Sequence, residues 1–295
     1  MTDMRPDPVF SDLRPRLVRL AYRMLGSVAD AEDVVHDAWL RWRAVDDDAV
    51  REPAAFLHTI VTRLCLNELK SARRRRETYI GPWLPEPIFT PGDDEAADDI
   101  TLPLMIALER LSPLERAAFL LHDVFGMAFE AVADTIGREV AACRKLASRA
   151  RAHIHDARPR FLIGEEQGLR FAAAFFTASR TGDMVALRDM LAEDVVCTAD
   201  GGGKVPTLQQ ALVGRDVVLA LHARLARLFS AQPSLLIRHT VIDGLPGFVT
   251  LEGETVVQTT ALQIEQERIV GIYVVRNPDK LRNAAEGRVS SSIFG

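Results

Sequence analysis

The 295-residue sequence has three cysteines, few aromatic residues (6%), no excess of positive charge and no apolar run near the roughly 20 residues that span a bilayer. Each shortage excludes something. Cys65, Cys143 and Cys197 are far apart, odd in number and without metal-ligand spacing. Neither a disulfide framework nor a metal site is therefore expected, and the three read as small buried groups in a reducing cytoplasm. The first residues, MTDMRPDPVF, lack the apolar stretch of a secretory signal, so no membrane anchor is expected. A net charge of −5 excludes a surface that is basic throughout. No cofactor is implied.

The positive charge that is present is concentrated. Between Arg63 and Arg76 there are six basic residues, Arg63, Lys70 and Arg73 to Arg76, against Glu68 alone. Between Arg138 and Arg151 there are five, Arg138, Arg144, Lys145, Arg149 and Arg151, against Glu139. Two basic helices separated by the acidic GDDEAADD suggest two polyanion contacts on two small modules.

Phe10, Leu13, Leu17, Leu20, Ala21, Met24 and Leu25 recur at steps of three and four until Gly26, which predicts an amphipathic helix. A second helix, capped near Ser27 or Asp30, turns Ala31, Val34, Val35, Ala38, Trp39 and Trp42 inward and carries Asp30, Glu32, Asp33 and Asp37 outside. Pro53 suits the first turn of a third, with Phe56, Ile60, Leu64 and Leu69 toward the core. From about residue 78 to 100, Pro82, Pro85, Pro87 and Pro91 read as a linker. Its WLPEP stretch holds Trp83 and Leu84, apolar area that either packs locally or meets a partner surface.

Four short helices follow, broken at Ser112-Pro113, Gly126 and Gly137. A short helix, a glycine turn and an arginine-rich helix is helix-turn-helix spacing, the second helix being the candidate reader of the major groove. Ala133, Ile136, Cys143, Leu146 and Ala147 would pack the pair. Arg138, Arg144, Lys145, Ser148 and Arg149 would reach DNA or form a solvated face. From about residue 165 the pattern becomes helices bearing Phe171, Phe175 and Phe176, then strand-like LLIRHTVI, GFVTLEG, ETVVQTTALQIEQ and RIVGIYVVRN in an antiparallel meander. A curved sheet wrapped around helices, with a small interior pocket, is expected.

DGGGK, residues 200 to 204, resembles a phosphate loop only superficially. A Walker loop needs GxxxxGK and then Ser or Thr, whereas Lys204 is followed by Val205 and Pro206. Two readings remain: a flexible hairpin tip, or a docking loop whose glycines admit a close backbone approach between Asp200 and Lys204.

The segments DAEDVVHDAWLRWR, FLHTIVTRLCLNELKSARRRR and LERLSPLERAAFLLHDVFGMAFEAVADTIG resemble, in order, regions 2.2, 2.3–2.4 and 4 of bacterial sigma factors. With no other sigma module between them, the chain resembles the extracytoplasmic-function (ECF) sigma factors. WLPEP, DGGGK and NPDKL (277 to 281) resemble the markers of an ECF group with a fused SnoaL-like, NTF2-like domain. The resemblance implies a multidomain chain with two all-α sigma modules, the region 2 helical bundle and the region 4 helix-turn-helix, followed by an α+β NTF2-like cone. Its parts would be 1–77 (region 2), 78–100 (linker), 101–158 (region 4), 165–282 (SnoaL-like domain) and 283–295 (tail).

It further implies a transcription initiation factor whose partners are promoter DNA and core RNA polymerase, through the β′ clamp helices and the β subunit. Asp30, Glu32, Asp33, Asp37 and Trp42 would bind polymerase. Arg63, Asn67, Lys70, Arg73 and Arg74 would take the −10 element, with Asn67 standing where many members carry an acidic residue. Arg138, Arg144, Lys145, Ser148 and Arg149 would read the −35 element. Trp83, Leu84, Pro85, Glu86 and Pro87, with Asp200, Gly201, Gly202, Gly203 and Lys204 and with Asn277, Pro278, Asp279, Lys280 and Leu281, would form regulatory contacts. The fused domain would modulate activity, sense a small-molecule ligand, or act as a cyclase or isomerase through His239 or Asp200; catalysis is not the favoured reading.

Overall fold

The computed structural model describes residues 8–45, 50, 52–77, 79–90, 101–154, 164–232, 234–253 and 255–282, but not the side chains of 71–77 and 90. The acidic run 92–99 and the tail 283–295 lie outside the described residues. The rest divides into two compact units, 8–77 with 105–154 and 79–104 with 164–282. The linker thus belongs with the C-terminal unit.

In the first unit α1 (Pro8–Leu25) buries Phe10, Leu17, Leu20 and Met24, as its spacing requires, and Gly26 ends it at φ 70°. Ser27 caps α2 (Val28–Trp42), its Oγ accepting the Asp30 N–H at 3.2 Å. The long α3 (Pro53–Glu77) is turned by about one residue from expectation. Phe56, Ile60 and Leu64 are half-buried, whereas Leu57, Val61 and Cys65 line the core together with Leu69, which was expected there. The reason is that α3 packs against α1 and α2 and also against α5 (Pro113–Phe119) and α6 (Phe129–Ile136), so its buried surface is wider than one stripe.

Ser112 and Glu115 form a reciprocal capping box at the start of α5. Gly137, left-handed at φ 66°, ends α6 and turns the chain into α7 (Val140–Ile154). A buried arginine escaped the sequence reading. Arg116, 2% exposed, donates to the Met24 carbonyl of α1 at 2.6 Å and to Glu109 Oε1 at 2.8 Å, and burial lowers its pKa to about 10. Glu109 ends α4 (Leu102–Glu109).

The second unit is the expected α+β cone. Helices α8 (Glu165–Thr181), α9 (Met184–Met190) and α10 (Arg215–Ala231) accompany β2 (Leu191–Asp200), β3 (Leu212–Val213), β4 (Ser234–Ile242), β5 (Leu245–Glu252), β6 (Val256–Glu265) and β7 (Arg268–Val275). With β1 (Phe89–Thr90) the described strands form one sheet in the order β1-β4-β5-β6-β7-β2-β3. From β4 to β7 the sheet is the predicted antiparallel meander. Asp243-Gly244 and Gln266-Glu267 turn two of its corners with φ between 46° and 72°, the left-handed angles of two-residue hairpins.

Three strands were not foreseen, the two-residue β3 among them. β2 pairs in parallel with β7, and an irregularity between Leu191 and Val196 breaks the alternation that would have revealed it. β1 comes from the linker and pairs with the outer edge of β4, Phe89 opposite Ile242. An edge is where a proline-flanked segment can join a sheet.

Candidate nucleic-acid interface and motif junction

On α7, Cys143, Ala147, Ala150 and Ile154 are buried at steps of three and four. The same period leaves Arg144, Lys145, Ser148 and Arg149 exposed together, with Arg138 exposed in the preceding turn. Arg144 leans over the Phe129 ring, 5.6 Å from its centroid, with Glu130 at 3.7 Å, a contact that solvent screens at this exposure.

On α3, Arg63, Asn67 and Lys70 are exposed; the side chains of Arg73 and Arg74 lie outside the description. Arg63 already has partners. Its Nε donates to the Thr135 carbonyl at 3.0 Å and its Nη2 to the Asp134 carbonyl at 2.9 Å. Both carbonyls close the last turn of α6, where no intrahelical donor remains and the helix dipole favours a cation. The first helix of the helix-turn-helix therefore holds a side chain expected on DNA.

On α2, Glu32, Asp33 and Asp37 are exposed and Asp30 is half-buried. Trp42 is not on that face. It is 6% exposed and packs on Phe56 at 5.9 Å, so it holds α2 in place. Beside the acidic face stand Leu40, 50% exposed, and the half-buried Trp39. Leu40 lies three residues beyond Asp37 and so on the same side of the helix.

In the second unit the three short motifs meet. Asp200 ends β2 fully buried. Its Oδ1 accepts the Tyr79 hydroxyl at 2.5 Å and the Gly202 N–H at 3.0 Å; its Oδ2 accepts the Leu84 N–H at 2.9 Å and Lys280 Nζ at 2.8 Å. A buried carboxylate is costly unless paired and fully hydrogen-bonded, and here it is both. Lys280 also donates to the Leu84 carbonyl at 2.5 Å and lies 4.2 Å from the Trp83 ring centroid. Lys204 pairs with Asp279 on the exposed side. Asn277 Nδ2 donates to the Tyr79 hydroxyl at 3.0 Å, and its backbone N–H to the Asp200 carbonyl at 3.1 Å.

The glycines serve this closeness. Gly202 has φ 61°, and a Cβ there would collide with the Asn277 carboxamide; one on Gly203 would stand 3.0 Å from Ile80. In the linker, Leu84 is 1% exposed, and Pro85 and Pro87 are buried while Trp83 and Glu86 are half-buried. Its apolar area packs locally within this unit. Tyr79, absent from the sequence candidates, has its hydroxyl pKa raised by burial and by Asp200, which keeps the donated proton in place.

Inside the cone lies a cavity of about 540 Å³. Neither sequence-level acid–base candidate lines it. Asp200 is committed to the motifs, and His239 lies on β4, half-buried and 6.2 Å from the Phe176 and Phe248 ring centroids. The histidine that does line it, His222 on α10, was missed because its spacing reads as ordinary helix interior.

The helical unit carries two modules of sigma factors of the sigma-70 type: the family models for Sigma-70 region 2 and Sigma-70, region 4 match residues 9–75 and 102–154. The ECF RNA polymerase sigma factor SigJ of Mycobacterium tuberculosis is 38% identical over 290 residues, covering 92% of this chain and 91% of that protein. A probable ECF RNA polymerase sigma factor SigI of the same species is 32% identical over 285 residues, covering 93% and 95%. The crystal structure of SigJ matches with a TM-score of 0.74 at 34% identity, over 92% of this chain and 97% of that one. The chain belongs to the ECF RNA polymerase sigma factors.

Proposed function

We propose that the protein brings core RNA polymerase to its promoters in the bacterial cytoplasm and that its C-terminal unit governs this step by gripping the linker. The observation that carries the reading is the motif junction. The segment joining the two DNA-binding modules is bound from Tyr79 to Thr90 by one buried carboxylate, one lysine and a sheet edge. A pinned linker restricts where two modules on its ends can reach, and a bias of a few kcal/mol redistributes such placements substantially.

In this reading Asp30, Glu32, Asp33 and Asp37 of α2, flanked by Trp39 and Leu40, meet the β′ clamp helices. Acidic charge around an apolar centre suits a basic partner surface. Arg63, Asn67, Lys70, Arg73 and Arg74 take the −10 strand once Arg63 leaves the end of α6. Arg138, Arg144, Lys145, Ser148 and Arg149 present α7 to the −35 major groove, where phosphate contacts supply affinity and one or two base contacts supply selectivity. Catalysis by the cone is not part of the reading, because the Asp200 oxygens are fully committed and His239 stands outside the cavity.

Run-off transcription with purified core polymerase tests this. The protein should start transcripts at cognate promoters, and a Gly202→Val chain, which forces Asn277 off the loop, should change their yield while still binding core. Failure to initiate at any promoter of the source genome would sink the reading.

A further inference from the structure

The helix that leads into the helix-turn-helix ends in a π-helical turn, Leu120–Val124, closed by the Phe125 N–H on the Leu120 carbonyl at 2.9 Å. Such turns are rare, add a residue to the turn and so rotate the side chains around them, and are frequent at functional sites. Here the turn aims His122. Its Nδ1 donates to the Met127 carbonyl at 2.8 Å; because a carbonyl only accepts, this nitrogen carries the proton, and the bond fixes the orientation of the ring. Asp123, in the same turn, pairs with Arg151 of α7 at 2.7 Å, which ties the turn to the helix that carries the exposed basic row.

The fixed imidazole lies on the half-buried Phe129 at the start of α6, with ring centroids 3.7 Å apart and planes 26° from parallel. Over the same phenyl ring stands the Arg144 guanidinium, 5.6 Å from its centroid, and Glu130, the next residue, reaches it at 3.7 Å. A turn carbonyl, an imidazole, a phenyl ring and a guanidinium thus form one column. No aromatic ring among the described residues supports Lys145 or Arg149, which are exposed on the same face of α7.

At an exposed site a ring favours the cation resting on it about two- to fivefold. The consequence for direction is larger. A phosphate accepts a cation arriving from many angles, whereas a bidentate bond to O6 and N7 of guanine needs the planar guanidinium at one height and one angle. An arginine already held in place has less freedom to lose on binding. We propose that Phe129, backed by His122, is a positioning residue for promoter selectivity: it holds Arg144 so that the guanidinium reads a guanine of the −35 element, while the unsupported Lys145 and Arg149 contact phosphates. This rests on the reading of α7 as the −35 helix.

Anisotropy titrations of the cognate promoter, and of the same promoter with each −35 base pair changed in turn, test this with the full-length protein bound to core polymerase. Arg144→Ala should remove discrimination at one guanine, about tenfold in the parent, and leave the other positions as they were. Phe129→Leu, which keeps apolar bulk but lacks the ring, should lower discrimination at that same guanine about threefold without changing the salt slope, and Phe129→Trp should restore most of it. Because Phe129 is half-buried, its replacement also acts on α6 itself, and a double-mutant cycle separates the two effects. The loss of affinity caused by Phe129→Leu should be about threefold smaller in the Arg144→Ala background than in the parent. An equal loss in both backgrounds, a change spread over all −35 positions, or no recovery with Phe129→Trp overturns the positioning role. If Arg144→Ala weakens every −35 sequence alike, Arg144 is a phosphate contact: the positioning role is overturned and α7 stands as the −35 helix. If alanine at Arg144, Lys145 and Arg149 together leaves promoter affinity unchanged, the −35 reading itself fails.

Discussion

Asp200 joins three stretches of sequence that are far apart, and four donors converge on its two oxygens. In Asp200→Ala the Tyr79 hydroxyl, the Leu84 N–H and the Lys280 ammonium would all lose a buried acceptor. Breaking a buried ion pair from one side costs about 3–5 kcal/mol, so the linker should detach before the sheet unfolds. Hydrogen exchange at Leu84 would read this, with the amide exchanging much faster in the variant than in the parent. His222 gives a pH-dependent expectation. Burial lowers its folded pKa to about 4, below the ordinary imidazole value of about 6.5, so the unfolded chain binds the extra proton first. Its contribution is fully present above about pH 6.5 and is lost as pH falls toward 4, on the order of 3 kcal/mol at the limit. Urea unfolding at about pH 7 and pH 5 should show a smaller drop for His222→Phe than for the parent. An aspartate and a lysine beside glycines were legible as a contact; a histidine inside a regular helix was not, because only the fold shows that its side of α10 meets a cavity.

Among the elements, α7 shows how far periodicity carries. One face of small and apolar residues fixes which residues remain outside, so the exposed row was readable in full. Each of Arg144, Lys145 and Arg149 replaced by alanine should weaken promoter binding by the polymerase–protein complex. A variant losing a phosphate contact should lower the salt slope by about one and affect all promoters alike; one losing a bidentate base contact should cost about 1–3 kcal/mol at its own position. Anisotropy titrations across salt concentrations separate the two. On α3 the period was read correctly and the phase was not, because Leu57, Val61 and Cys65 are as apolar as their neighbours Phe56, Ile60 and Leu64. A helix touched on several sides has no single inward stripe for a pattern to mark. For β2 the obstacle was an irregular ladder, and for β1 a strand of two residues is too short for any alternation.

At the scale of the whole molecule, the order of modules was readable, but the ownership of the linker was not, because proline-rich composition excludes a regular element without naming what the segment rests on. Leu84 and Phe89, 1% and 4% exposed, are covered by the C-terminal unit. Removing residues from about 165 onward therefore releases the linker and also bares its apolar side. We expect that truncation to alter transcription while core binding survives, as judged by co-elution with polymerase. Comparing it with Asp200→Ala separates release of the linker from loss of the cone.

The pairing of Phe89 with Ile242 has a consequence in time. About 150 residues separate the two strands. At roughly 5–20 residues per second of synthesis, the first module and the linker leave the ribosome about 10–30 s before the strand that closes over the linker exists. Every newly made chain passes through an interval without its grip, and the rate of expression sets how many such young chains the cell holds at once.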